Sequence, residues 1–119
     1  MRLGEFIKTL EGFDGNDEVE FDSGDAPRHF DSWRGVYAEL TLTRGGKKPM
    51  KVSELLRQAR AAVGGTFEGY KGGDYQMDES TPVWADDYGD CAYNGIVGVR
   101  QEPTRVVIVT ADLSAYRGW

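Results

Sequence analysis

Cysteine and histidine are almost absent from this chain: Cys91 and His29 are single representatives in 119 residues. One cysteine excludes an internal disulfide, and the pair cannot assemble a Cys/His zinc site. No apolar run reaches the length of a membrane span. The start, Met1-Arg2-Leu3-Gly4-Glu5, lacks the continuous apolar core of a signal peptide. These absences give the expectation of a cytoplasmic protein. There is no Walker sequence, no dinucleotide fingerprint and no internal repeat. With four prolines and no biased tract, composition marks no segment as disordered. The length is that of a single domain, 1–119, small enough that a second subunit would help stabilise it.

What is present is unevenly charged. The net charge is −6. Residues 1–25 hold eight acids (Glu5, Glu11, Asp14, Asp17, Glu18, Glu20, Asp22, Asp25) against Arg2 and Lys8, so the whole excess lies in the first fifth. Residues 28–60 carry Arg28, Arg34, Arg44, Lys47, Lys48, Lys51, Arg57 and Arg60 against three acids. An acidic first fifth argues against a polynucleotide track, which needs a continuous basic face. The basic middle is compatible with a few phosphates, although Lys47 and Lys48 read more simply as a solvated loop.

Leu3, Phe6, Ile7 and Leu10 recur at helical spacing, which predicts a helix over Arg2–Glu11 ended by Gly12. Alternation predicts strands over Glu18–Asp22 and Val36–Thr43, the second with Val36, Ala38, Leu40 and Leu42 facing one way. Ser23 to Arg34 reads as irregular. Val52–Val63 is a second helix, with Ser53 or Lys51 near its N-cap and Gly64-Gly65 after its end. Arg57 and Arg60 share a face that its apolar stripe leaves free. Pro82–Ala85 is extended, 86–90 is a turn, and Gly95–Gln101 and Arg105–Ala111 form a closing hairpin, followed by a polar tail with Tyr116 and Trp119. The sum is an α+β domain with a mostly antiparallel sheet of four to five strands and two helices packed on one face.

Catalytic constellations are poor. Cys91 and His29 sit in irregular segments with nothing to orient either as a nucleophile pair. Asp14 to Asp17 resembles the start of a calcium loop with its glycine misplaced. Asp86, Asp87 and Asp90 could gather magnesium, but three acids in a turn are more often solvated. The chain therefore reads as a non-enzyme, with no cofactor. Binding fares better. Phe30, Trp33, Tyr70, Tyr75, Trp84, Tyr88 and Tyr93 all fall in or near loops. Tyr70-Lys71-Gly72-Gly73-Asp74-Tyr75 combines aromatic faces, a cation and a bare backbone, a composition suited to a flat anionic molecule. On residues alone, a surface turn is the simpler reading.

Phe30-Asp31-Ser32-Trp33-Arg34-Gly35-Val36-Tyr37, the Val52–Leu56 helix start, Gly69 to Tyr75, and Thr81-Pro82-Val83-Trp84 together resemble a family of small phage proteins. This is the first Thoeris anti-defence family, which sequesters immune signalling nucleotides without degrading them. The resemblance runs from about Phe21 to Val99. It implies a homo-oligomer with pockets between subunits for cyclic ADP-ribose isomers made by TIR-domain enzymes. It also implies that an aromatic ring and an asparagine ten positions apart contact the nucleotide, which are here Trp84 and Asn94. Trp84 stands for a smaller ring in the family pattern, which keeps the stacking role and alters pocket volume. Read without the resemblance, Trp84 is a core anchor on a short strand and Asn94 a turn residue before Gly95. Some members hold cyclic oligonucleotides at a separate basic site. Arg57 and Arg60 take that part by charge and shared face rather than by motif position.

The expectation is thus a phage-encoded sponge in the host cytosol, binding a small cyclic nucleotide, with no polynucleotide or membrane partner. Trp84 stacks the adenine, Asn94 bonds base or ribose, and Lys71 with Gly72 and Gly73, beside Tyr70, faces the diphosphate. Arg34 is a further phosphate candidate. Two alternatives remain: a metal-dependent phosphodiesterase using the aspartates near Tyr88, and a protein–protein inhibitor acting through the acidic first 25 residues.

Overall fold

The computed structural model describes residues 1–69, 71–85 and 93–114. The first helix, α1 (Leu3–Glu11), buries Leu3, Phe6 and Leu10, the stripe that the spacing required. The Glu5 carboxylate accepts the Arg2 backbone N–H at 3.1 Å, occupying one of the donors a helix start leaves open. The second, α2 (Val52–Ala62), buries Val52, Leu55, Ala59 and Ala62. Lys51 is its N-cap, Val63 turns extended, and Gly64 follows with φ +76°, where a Cβ would be strained.

Nine strands complete the described residues. These are β1 (Glu18–Phe21), β2 (Phe30–Ser32), β3 (Leu40–Leu42), β4 (Met50–Lys51), β5 (Thr66–Glu68), β6 (Asp74–Gln76), β7 (Val83–Ala85), β8 (Asn94–Gln101) and β9 (Val106–Asp112). Seven form one mixed sheet in the order β2-β3-β7-β8-β9-β1-β4, while β5 and β6 pair alone. Four joins in the large sheet are antiparallel, and two, β1 with β9 and β3 with β7, are parallel. The class is α+β as expected, with the sheet larger than four to five strands. The surplus consists of β2 and β4, with the β5–β6 pair as a second small sheet, and each of these strands is two or three residues long, too short to show a period.

Both helices send their buried stripes into one core with Val19, Phe21, Phe30, Leu40, Leu42, Val83, Ala85, Ile96, Val106 and Ile108 from the sheet. Where β7 and β8 meet only at Trp84 and Gly95, residue 1 fills the gap. The Met1 nitrogen donates to the Ile96 carbonyl at 2.9 Å, and its carbonyl accepts Val83 N–H at 3.0 Å.

The strand expected over Val36–Thr43 is corrected to Leu40–Leu42. Ahead of it the Glu39 N–H bonds the Val36 carbonyl in a turn, leaving Val36 45% exposed. Thr41 and Thr43, which alternation turns away from Leu40 and Leu42, are buried too. The second face of the sheet is therefore covered as well around β3 and β7. Ser23 to Arg34, expected to be irregular, contains β2, and the stretch around the paired glycines is the β5–β6 hairpin. The expected turn at 86–90, Tyr70, Tyr88, Cys91, Tyr116 and Trp119 lie outside the described residues.

Candidate functional site

The covering of that second face is aromatic. Trp33 follows β2 and Trp84 is the middle residue of β7, and their rings stack with centroids 4.2 Å apart and planes 12° from parallel. Tyr93, just before β8, meets both rings edge-on at 5.4 and 5.7 Å. Stacked and edge-to-face arrangements are those the ring quadrupoles favour, each adding about 0.5–1.5 kcal/mol beyond area burial. Trp33 and Trp84 are 2% and 4% exposed, whereas Tyr93 is 41% exposed.

Glu39 ties the stack to the sheet. Its backbone carbonyl accepts the Trp33 N–H at 2.8 Å, and its side-chain Oε1 accepts the Trp84 Nε1–H at 2.8 Å. Thr41 Oγ1 donates to the Trp84 carbonyl at 3.2 Å, which accounts for the burial of that hydroxyl. Gly35 closes the other side of Trp33. A Cβ there would lie 2.4 Å from Cη2 of the indole, so the Ser-Trp-Arg-Gly run needs its glycine for close approach rather than for a positive φ. Sequence reasoning missed Glu39 and Gly35. The available signal was an acid inside a strand-like run of apolar and threonine residues.

Of the described residues expected in a site, only Trp84 enters this cluster. Asn94 opens β8 and pairs with Asp112, while Gly95 is the residue opposite Trp84. Alternation along a strand then puts Asn94 on the face of Ile96 and Trp84 on the face of Tyr93. Lys71, Gly72 and Gly73 form the exposed tip of the β5–β6 hairpin, with φ +92° and +86° at the two glycines. The Gly72 N–H is spent on the Gly69 carbonyl at 2.9 Å. Gly69 itself is buried, and a Cβ there would meet the Tyr75 ring at 2.8 Å. The pair therefore does what a tight turn asks of glycine. Tyr75 in turn contacts Tyr37 at 6.0 Å, so the 33–39 segment lies between this hairpin and the indole stack.

The arginines are dispersed. Arg34 is exposed. Arg57 is held by Glu54, one turn earlier on α2, and Arg60 by Glu11 of α1 at 2.8 Å. The Arg57 guanidinium, then the Gln58 amide, hold the Glu54 carboxyl down at about 2. Both pairs are exposed, the setting in which an ion pair contributes little to stability. Two surface cavities, of about 470 and 660 Å³, share the Gly46–Pro49 loop as a wall and are lined by none of the expected site residues. Asp14 accepts the Asn16 N–H at 2.9 Å in a local turn, and the described residues contain no group of three or more His, Cys, Asp or Glu placed to hold a metal. No described helix is long and apolar enough to cross a membrane. No protein-family model, curated protein or solved structure matches the chain.

Proposed function

We propose that this protein binds and sequesters a cyclic nucleotide immune messenger, a cyclic ADP-ribose isomer, without cleaving it. The observation that carries the reading is the Trp33–Trp84–Tyr93 cluster, in which two buried, mutually stacked indoles back the exposed Tyr93 ring, and an exposed ring of this kind holds a purine at about 1–3 kcal/mol per base. Trp84 supplies stacking, as the family resemblance implies. Because Asn94 faces the other side of the sheet, a pocket between copies of the chain is the arrangement that brings Trp84 and Asn94 to one ligand. Lys71 and Arg34 are exposed cations within this reading, and Arg57 and Arg60 would have to exchange their carboxylates for phosphates to hold a cyclic oligonucleotide.

The acidic-inhibitor reading loses support. Among the first eight acids, Glu5, Glu11, Asp14, Asp17, Glu20, Asp22 and Asp25 each have a partner inside the chain. Asp22 binds both the N–H and hydroxyl of Thr110, and Glu20 pairs with Arg105, so these charges join β1 to β9.

The test is titration of the purified protein with cyclic ADP-ribose isomers and cyclic di- and trinucleotides. A bound messenger raises Tm, and at a hundred times its Kd contributes about 2.7 kcal/mol. Mass spectrometry of the heat-released ligand should return it intact. Recovery of hydrolysed product, dependent on a divalent metal, would make the protein a phosphodiesterase instead, and no thermal shift with any member would remove the reading.

A further inference from the structure

A buried indole N–H almost always has a hydrogen-bond partner, because burying an unmet donor costs stability. The two stacked indoles differ in this respect. Trp84 donates to Glu39 at 2.8 Å, whereas Trp33, 2% exposed, has its Nε1 buried with no partner among the described residues. The rest of the Trp33 ring is fully employed: one face lies on Trp84, Tyr93 meets it edge-on, and its six-membered ring abuts Gly35. Packing alone would be served equally well by an apolar bicyclic ring, so the nitrogen is the part of this side chain that the described residues leave unused.

We propose that the Trp33 Nε1–H is a ligand-recognising donor, bonding an acceptor atom (a ring nitrogen or carbonyl oxygen) of the bound planar heterocycle. The inference rests on the nucleotide-binding reading above and adds a specificity element to it. Glu39 cannot take this part toward the same atom, since its carboxylate only accepts and is already committed to Trp84. Entry requires the exposed 34–36 segment, which carries Gly35 onto the ring, or the half-exposed Tyr93 ring to move aside. A heterocycle that carries the acceptor gains a hydrogen bond the free protein does not make, whereas one lacking it gains nothing at this atom and binds more weakly.

The experiment compares wild type, Trp33→Phe, and a protein whose Trp33 is replaced by benzothienylalanine, which keeps the bicyclic shape and lacks the N–H. Each is titrated with the same cyclic ADP-ribose isomers and cyclic oligonucleotides, with Tm measured in parallel. The expected result is affinity about tenfold weaker with Tm of the unliganded isostere protein equal to or above wild type. In wild type, the Trp33 indole ¹H–¹⁵N resonance should move downfield on ligand addition. Wild-type binding with equal affinity in the isostere protein overturns this inference and leaves the sponge reading standing. Absence of binding by wild type removes that reading, and this inference with it. If Trp33→Phe fails to fold, the isostere decides.

Discussion

At the scale of single residues, Glu39 is the side chain on which the aromatic surface depends. Its carbonyl and carboxylate address two indole-bearing residues distant in sequence. Glu39→Ala would remove the acceptor that the Trp84 N–H uses at 2.8 Å, with an expected loss of about 1–3 kcal/mol in urea unfolding. Glu39→Gln keeps an acceptor oxygen and should recover most of that loss. If the two variants unfold alike, the hydrogen bond is not what holds the stack. The aromatics themselves were visible in the sequence as a group, but their partners were not. Nothing at positions 33, 39, 84 and 93 signals a shared destination, because side-chain proximity across sheet strands follows from register, not from spacing along the chain.

At the scale of elements, the two helices and the β8–β9 hairpin could be read directly, since each has a local period and local stop signals. The shortest strands could not, and one expected binding loop became a hairpin tip. Gly72 and Gly73 there sit at positive φ, with open space around Gly72. Gly72→Ala should thus cost about 1–2 kcal/mol of local backbone strain, read as faster amide exchange in β5–β6 with ligand affinity unchanged. A large affinity loss would instead restore the loop to the site. On α2, the Glu54 carboxyl lies below its ordinary value of 4.5, at about 2, because Arg57 donates to it. Its folded value is the depressed one, so its stabilising contribution is present above about pH 4.5 and lost as pH falls toward 2. Urea midpoints between pH 5 and 2 should fall less steeply for Glu54→Gln than for wild type.

At the scale of the whole molecule, one core joins both helices to six strands of the sheet. Phe6 reaches from α1 to meet Phe30 of β2 edge-on at 6.4 Å with no exposure of its own. Phe6→Ala should cost about 3–5 kcal/mol, with far- and near-ultraviolet dichroism lost together in a single transition. Separate transitions would mean that the aromatic face folds independently of the helical one. The sequence alone determined the α+β class and the identity of the helix stripes, because the alternation of apolar and polar residues dictates which side of a segment leaves water. Only the tertiary structure decided that the sheet is covered on both faces at β3 and β7, that Trp33 lies on Trp84, and that Asn94 turns away from them. Those outcomes depend on which distant strands pair and in what register, and that is settled by collective burial of the core rather than by any local pattern.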